Sequence, residues 1–85
     1  MVYGLGPILY QANHIRNGHV VESNFHNFRL PQISDMPKVD VLLVPTGGFW
    51  GGHGEIGLLA LAPAVCNAVR AATGQAVRRL PLDAA

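Results

Sequence analysis

Apolar positions recur at helical spacing near both ends of the chain and form a continuous run near its middle. In residues 1–12, apolar side chains lie three and four positions apart, which predicts a helix despite two glycines and a proline. Residues 55–73 carry a second series of this kind, and Gly74 is placed to end it as the C′ residue. Pro63 removes one hydrogen bond from the second series, so we expect a kink or a new first turn there. The two helical series are Val2, Leu5, Ile8 and Leu9, and Leu58, Leu61, Ala62, Val65 and Val69.

Between these helices the pattern changes to that of strands and loops. Residues 14–16 and 19–22 flank Asn17-Gly18, a pair that tolerates the positive φ angles of a two-residue turn, and they predict a β-hairpin. Residues 39–45 are mainly valines and leucines, with Asp40 as the one charged residue, and this run predicts a mostly buried strand. Residues 23–37 contain prolines and aromatics and predict a long loop laid over other structure. Residues 77–82 predict one short extended piece.

These elements together predict an α+β fold of two layers. A small mixed sheet, made of the hairpin plus one strand, packs against two helices on one face. With 85 residues, the chain is expected to be a single domain spanning residues 1–85.

Composition adds the expectation of an interface. A chain of this length buries only roughly 60–65% of its unfolded surface. Yet 49% of its residues are hydrophobic and 13% are charged, so part of the apolar surface is expected to face a partner. The net charge of +1 without a basic run gives no footprint for a nucleic acid. No run approaches the roughly 20 apolar residues of a membrane span, and one cysteine, Cys66, excludes an intrachain disulfide framework.

The segment Gly51-Gly52-His53-Gly54-Glu55 is the main candidate for chemistry. Glycines allow a bulky ligand to approach the main chain closely. The N–H groups of a helix start favour an anionic ligand, and an acidic residue placed there can act as a base. The plain alternative is that Glu55 only offsets the dipole of the helix that follows, and that the glycines form a strand-to-helix turn.

Two further readings of the same sequence remain open. Neutral imidazoles are common ligands of zinc and similar ions, so the four histidines suggest a metal site, although no cysteine or acidic residue has ligand spacing. Phe49 and Trp50 are suited either to line a pocket or to anchor the chain on a missing partner. The four histidines are His14, His19, His26 and His53.

Several motifs occur in an order that resembles a known enzyme family. They are Ser23-Asn24-Phe25-His26, Asp35-Met36-Pro37, the segment from Gly51 to Glu55, Ala62-Pro63-Ala64, Asn67-Ala68-Val69, Ala72-Thr73-Gly74 and Leu80-Pro81-Leu82. From about Tyr3 to Leu82 the chain resembles the C-terminal part of the molybdopterin-binding subunit of the xanthine dehydrogenase/aldehyde oxidase family. The branch that contains isoquinoline 1-oxidoreductase and related aldehyde dehydrogenases is the most similar.

The resemblance implies a molybdenum hydroxylase acting on an aldehyde or on a carbon beside a ring nitrogen. Glu55 matches the catalytic glutamate of the family, and Gly51, Gly52, His53 and Gly54 would border the cofactor. The implied cofactor is molybdopterin, in its cytosine dinucleotide form, bound in the complete enzyme and not by this chain alone. The implied partners are the remainder of the subunit and an iron–sulfur subunit. The compartment, bacterial cytoplasm or periplasm, is left open by the sequence.

Two positions depart from the family pattern, since His53 stands where a small apolar residue is common and Ile56 where a proline usually follows the glutamate. The family's subunit is also several hundred residues long, so the chain alone is expected to be inactive. It is either a C-terminal piece of a longer protein, a separately encoded part of a split subunit, or a degenerate remnant. The alternative from another class is a non-catalytic association module that forms homo-oligomers through its exposed apolar face.

Overall fold

Both predicted helices form, and they pack against each other. The computed structural model describes residues 1–84. Helix α1 spans Val2–Leu9, α2 spans Ile56–Leu59 and α3 spans Leu61–Thr73, with α3 in contact with both of the others. A Cβ placed on Gly4 of α1 would lie 2.6 Å from a methyl carbon of Leu58 and 3.0 Å from one of Leu61. The absence of a side chain at Gly4 therefore lets α1 approach the start of the second helical series.

Helix α3 turns a half-buried face toward α1 and ends as its sequence predicts. The half-buried residues on this face are Leu61, Ala62, Val65, Cys66 and Val69. Gly74 has φ 79°, and its N–H donates to the carbonyl of Arg70 at 2.7 Å, which satisfies one carbonyl of the last turn. The helix is interrupted at Ala60, between α2 and α3, so Pro63 lies in the first turn of α3. Residues of a first turn have no intrahelical acceptor for their N–H groups, so the missing N–H of proline costs no hydrogen bond there. The expectation of a new first turn at Pro63 is confirmed.

The predicted hairpin also forms. Strands β1 (Ile15–Arg16) and β2 (His19–Val20) are antiparallel, with Ile15 opposite Val20 and Arg16 opposite His19. Asn17 and Gly18 at the turn have φ angles of 51° and 77°, as a two-residue turn with two positive φ angles requires. Two helices together with this small sheet confirm the α+β class.

The strand predicted for residues 39–45 is absent, and that prediction was wrong for this chain. The sheet contains only β1 and β2, and residues 39–45 have no regular secondary structure. Val41, Leu42 and Leu43 are 78%, 86% and 84% exposed. A strand is stabilised by hydrogen bonds to a neighbouring strand, and none of residues 1–84 pairs with this segment. The sheet is accordingly antiparallel rather than mixed.

The tail likewise forms no strand. Residues 79–81 are bent, the peptide bond between Leu80 and Pro81 is cis, and a 3-10 helix follows at Leu82–Ala84. This last turn contacts α1, and Pro81 is buried. The tail therefore closes against the first helix instead of continuing as the short extended piece predicted for residues 77–82.

Residues 29–35 of the loop predicted at 23–37 lie over the end of α1, in agreement with the prediction of a loop laid over other structure. The Nε2 of Gln11 donates to the carbonyl of Arg29 at 2.8 Å, and the Tyr10 hydroxyl donates to Oδ2 of Asp35 at 3.2 Å. Arg29 lies over the Tyr10 ring, 4.2 Å from its centroid, and also donates to Asp35 at 3.0 Å. These contacts fix residues 29–35 against the first helix.

The chain is open rather than closely packed. Its accessible surface is 7463 Å², whereas a compact folded chain of this mass exposes about 4,900 Å². Its radius of gyration is 16.1 Å, compared with about 12 Å for a compact domain of this length. Within residues 1–84, Ile8 is the hydrophobic residue whose side chain is buried.

The second helical region is relevant to the expectation that no segment spans a membrane. The helical stretch Ile56–Thr73, 18 residues with a mean hydropathy of 1.5, is long and apolar enough to cross a bilayer by length and composition. A core helix of a larger soluble protein has the same properties, so this is a weak indication on its own.

Candidate functional site

Glu55 stands at the N-cap of α2, immediately after the glycine-rich segment. Its backbone has φ −109° and ψ −8°, and its carbonyl accepts the N–H of Leu58 at 2.9 Å. The residue is exposed, and its carboxylate makes no capping hydrogen bond to the helix. The start of α2 is held by the contact between Leu58 and Gly4. Glu55 therefore presents an accessible carboxylate at the edge of the packed helices.

The glycines before Glu55 leave the main chain uncovered. Residues 46–53 have no regular secondary structure. A Cβ added at Gly51, Gly52 or Gly54 would meet no heavy atom of the chain within 4 Å. The backbone of this segment is consequently open to a ligand or to another part of a larger protein.

An open groove lies beside this segment. It has a volume of about 470 Å³ and is lined by Phe49, Trp50, His53 and the backbone of neighbouring glycines. Glu55 does not line it. Trp50 is 96% exposed, so the two aromatic residues form no closed pocket within the chain. Of the residues singled out from the sequence, the structure brings His53 together with the aromatics and leaves the carboxylate outside the groove.

Two clusters of paired polar side chains that the sequence did not single out contain groups with a shifted pKa. The Nδ1 of His14 lies 2.5 Å from Oε1 of Glu22, and the backbone N–H of His14 donates to Oε2 at 2.7 Å. These hydrogen bonds from His14, the side-chain bond first, lower the pKa of Glu22. Because the two residues are eight positions apart, on either side of the turn, only the hairpin register reveals the pair.

The second cluster joins Tyr10, Arg29 and Asp35. The backbone N–H of Gln32 donates to Asp35 at 3.0 Å and is the main cause of the lowered pKa of its carboxyl. Partial burial, followed by the nearby charge of Asp35, raises the pKa of the Tyr10 hydroxyl. Arg29 lies over the Tyr10 ring and donates to Asp35, and its charge favours the ionised carboxylate. This cluster attaches the loop to α1 and lies apart from Glu55 in the sequence.

The geometry of residues 1–84 does not support the hypothesis that the histidines form a metal site. Within residues 1–84, no group of three or more histidine, cysteine, aspartate or glutamate side chains lies close enough to hold a metal ion. Arg16, not His14, is opposite His19 in the hairpin, and His14 pairs with Glu22.

Comparison with known protein sequences shows which proteins this chain is similar to. It is 35% identical over 82 residues to "Isoquinoline 1-oxidoreductase subunit beta" of Brevundimonas diminuta, covering 96% of this chain and 10% of that protein. It is 31% identical over 91 residues to the "Putative xanthine dehydrogenase molybdenum-binding subunit XdhA" of Escherichia coli (strain K12), covering 96% of this chain and 12% of that protein. The chain matches a short piece of molybdenum-binding oxidoreductase subunits.

The resemblance inferred from the ordered motifs is thereby confirmed over nearly the whole chain. A further relative, 31% identical over 81 residues, is a "Membrane-bound aldehyde dehydrogenase [pyrroloquinoline-quinone]" of Gluconacetobacter polyoxogenes, of which the chain covers 10%. The name of that relative specifies a different cofactor. The chain spans about a tenth of the length of the relatives it matches. No protein-family model matches the chain, and no solved structure matches it.

Proposed function

We propose that this chain is the C-terminal portion of a molybdenum-dependent hydroxylase or aldehyde oxidoreductase, to which it contributes Glu55 as general base and residues 51–54 as the cofactor-facing loop. The similarity to molybdenum-binding subunits over nearly the whole chain carries this proposal. The accessible carboxylate of Glu55 and the uncovered backbone before it support the assignment of roles.

The chemical demand on a general base is access to the proton that it removes. An exposed carboxylate without a capping bond can accept a hydrogen bond from a group brought to it. The open main chain at Gly52 and Gly54 allows a cofactor to approach the acid without meeting a side chain of this segment. The residues therefore fit one wall of a cofactor site, and the other walls belong to the remainder of the subunit.

The molybdopterin cofactor, in its cytosine dinucleotide form, would supply the redox chemistry when bound. The chain's part is to hold the carboxylate and to leave room for the cofactor. Its partners in this function are the rest of the subunit and an iron–sulfur subunit that carries electrons away. The chain by itself is therefore inactive in this proposal.

A chimeric subunit tests the proposed roles. This chain replaces the matching segment of the Brevundimonas isoquinoline 1-oxidoreductase beta subunit, and the chimera is purified with the relative's other subunit. Glu55→Gln is expected to lower turnover by about 10²–10⁴-fold, the contribution of one acid–base group, while bound molybdenum is unchanged. Gly52→Val is expected to reduce bound molybdenum, because the new side chain fills the space of the cofactor.

Asp83→Asn is the matched control, since Asp83 is another exposed carboxylate of the same chain. It should leave both turnover and molybdenum content unaltered. Equal turnover of Glu55→Gln and the parent chimera would refute the role of Glu55. Pyrroloquinoline quinone in place of molybdenum would refute the proposed cofactor and match the name of the Gluconacetobacter relative.

The second candidate is a stand-alone association module that forms homo-oligomers. Its support is the large apolar surface, which includes residues 41–44 and the two aromatics of the groove. Light scattering coupled to size exclusion distinguishes the two functions. The association module requires a defined oligomer of the isolated chain in which the fluorescence of Trp50 reports burial.

A further inference from the structure

Residues 39–44 form the longest apolar run of the chain that the fold leaves uncovered. Val39, Val41 and Leu43 alternate with Asp40, Leu42 and Val44, so five of the six positions are apolar on what would be two opposite faces of a strand. The run begins two residues after Pro37 and ends at Pro45, which has no N–H to donate to a ladder. Its composition and length are those of a strand buried on both faces.

The isolated chain has no place to bury such a strand. The hairpin strands pair only with each other, and residues 39–45 form no regular structure. The accessible surface exceeds that of a compact chain of this mass by roughly 2,600 Å². A stable interface requires only about 800 Å² from each partner. The uncovered surface is thus large enough for an extensive interface of which this segment is one part.

The length of the relatives indicates what covers the segment. The chain matches about a tenth of each relative over nearly all of its own length. If the chain performs the proposed function, the remaining nine tenths of the subunit are present in an amount equal to that of the chain. A strand that is apolar on both faces needs covering layers above and below it, together with pairing partners at its sides, and a large neighbouring domain supplies all of these.

We propose that residues 39–44 become a β-strand on assembly and insert between two strands of the remainder of the molybdenum-binding subunit. This inference rests on the proposed function for the identity of the partner and does not depend on the role of Glu55. The inserted strand anchors the N-terminal end of the glycine-rich segment. The contact between Leu58 and Gly4 anchors the helix that follows it. Glu55 is then held from both sides, whereas the isolated chain holds it from one.

Amide hydrogen exchange of residues 39–44 tests the proposal directly. The isolated chain is compared with the chimeric subunit, in which the same residues lie within a complete protein. In the isolated chain these amides should exchange as in an unstructured peptide. In the complete subunit they should slow by about a hundredfold or more, because an inserted strand opens only with the surrounding sheet. Both odd- and even-numbered amides should slow, since pairing on two sides engages all of them, whereas an edge strand would protect alternate amides.

Two variants at one position supply the control. Val41→Pro removes a ladder donor and disfavours strand pairing, whereas Val41→Ile retains the N–H and the apolar character. Binding is measured between the isolated chain and the Brevundimonas subunit from which the matching segment has been deleted, so a chimera that fails to accumulate does not end the test. Val41→Pro should weaken binding by about tenfold or more, and Val41→Ile should bind as the parent does.

The outcomes separate the two proposals. Loss of turnover in Glu55→Gln with unprotected amides at 39–44 would overturn the strand and leave the catalytic role standing. Slow exchange at 39–44 with an active Glu55→Gln would support the strand and refute the base. Slow exchange in the isolated chain at the mass of a dimer would assign the strand to a second copy and would overturn the proposal.

Discussion

Gly57 and Gly74, which differ in backbone conformation and both have open space at the Cβ position, give a quantitative test of the helical region. Gly74 ends α3 with φ 79° and ψ −8°, and a Cβ placed there would meet no atom within 4 Å. Gly57 lies in α2 without a positive φ, and its Cβ position is equally empty. Replacement by alanine therefore adds no clash at either site, and any difference between the two variants reflects backbone energetics.

The expected free energies of unfolding have opposite signs. A non-glycine residue in the left-handed region costs about 1–2 kcal/mol of folding free energy. The lower conformational entropy of the unfolded alanine variant offsets about 0.4–1 kcal/mol of this cost. Gly74→Ala should accordingly destabilise the chain by about 1 kcal/mol. At Gly57 the helical conformation suits alanine, so Gly57→Ala should stabilise it by up to about 1 kcal/mol.

Thermal unfolding followed by far-ultraviolet circular dichroism measures both effects. For a chain of this length, 1 kcal/mol corresponds to a shift in Tm of about 4–8 °C. Gly74→Asn is the control, because asparagine tolerates the left-handed region, and it should lose less stability than Gly74→Ala. Shifts of the same sign for Gly57→Ala and Gly74→Ala, or a Gly74→Ala variant as stable as the parent, would refute this account of the helix end.

Three further results are expected. Because the Glu22 pKa is lowered in the fold, its pair with His14 stabilises the hairpin above the usual carboxyl pKa and loses this effect as the pH falls through the lowered pKa; His14→Ala should return the Glu22 titration, followed by NMR, toward its ordinary range. Because the Tyr10 pKa is raised in the fold, the neutral hydroxyl of Tyr10 stabilises the fold at pH values below the usual phenol pKa, and this stabilisation is lost as the pH rises through the raised pKa. Asp35→Asn should lower the Tyr10 pKa in an ultraviolet titration. Trp50 is the single tryptophan and is almost fully exposed, so its emission should shift to shorter wavelength when the chain assembles with the remainder of the subunit, and an unchanged spectrum would place it outside the interface.

The elements that the sequence predicts correctly find their partners locally. The turn at Asn17-Gly18 depends on two residues that tolerate positive φ angles, and the strands it joins adjoin it directly. Gly74 caps a helix whose carbonyl acceptor, in Arg70, lies four positions earlier. In such cases the sequence contains both members of each interaction within one short window. The position of Glu55 at a helix start follows from the same local rule.

The features that the sequence did not reveal depend on distant residues. Tyr10 and Asp35 are 25 positions apart, and their hydrogen bond requires the whole loop to fold back over α1. Neither residue belongs to a short-range pattern that pairs them. The pair of His14 and Glu22 similarly follows from the register of the hairpin, which the turn fixes but the residue pattern alone does not.

The segment 39–45 differs from both of these cases, because its local pattern indicates a strand that the fold does not form. Helical hydrogen bonds are satisfied within the helix itself, whereas a strand takes its partners from elsewhere. A piece of a larger protein therefore keeps its helices and short hairpins but leaves unpaired any strand whose neighbours lie in the missing part. The exposed apolar run before the glycine-rich segment has the pattern of such a strand. Its failure to pair within a chain that spans a tenth of its relatives is what the physics of sheets requires if its neighbours lie in the remaining nine tenths.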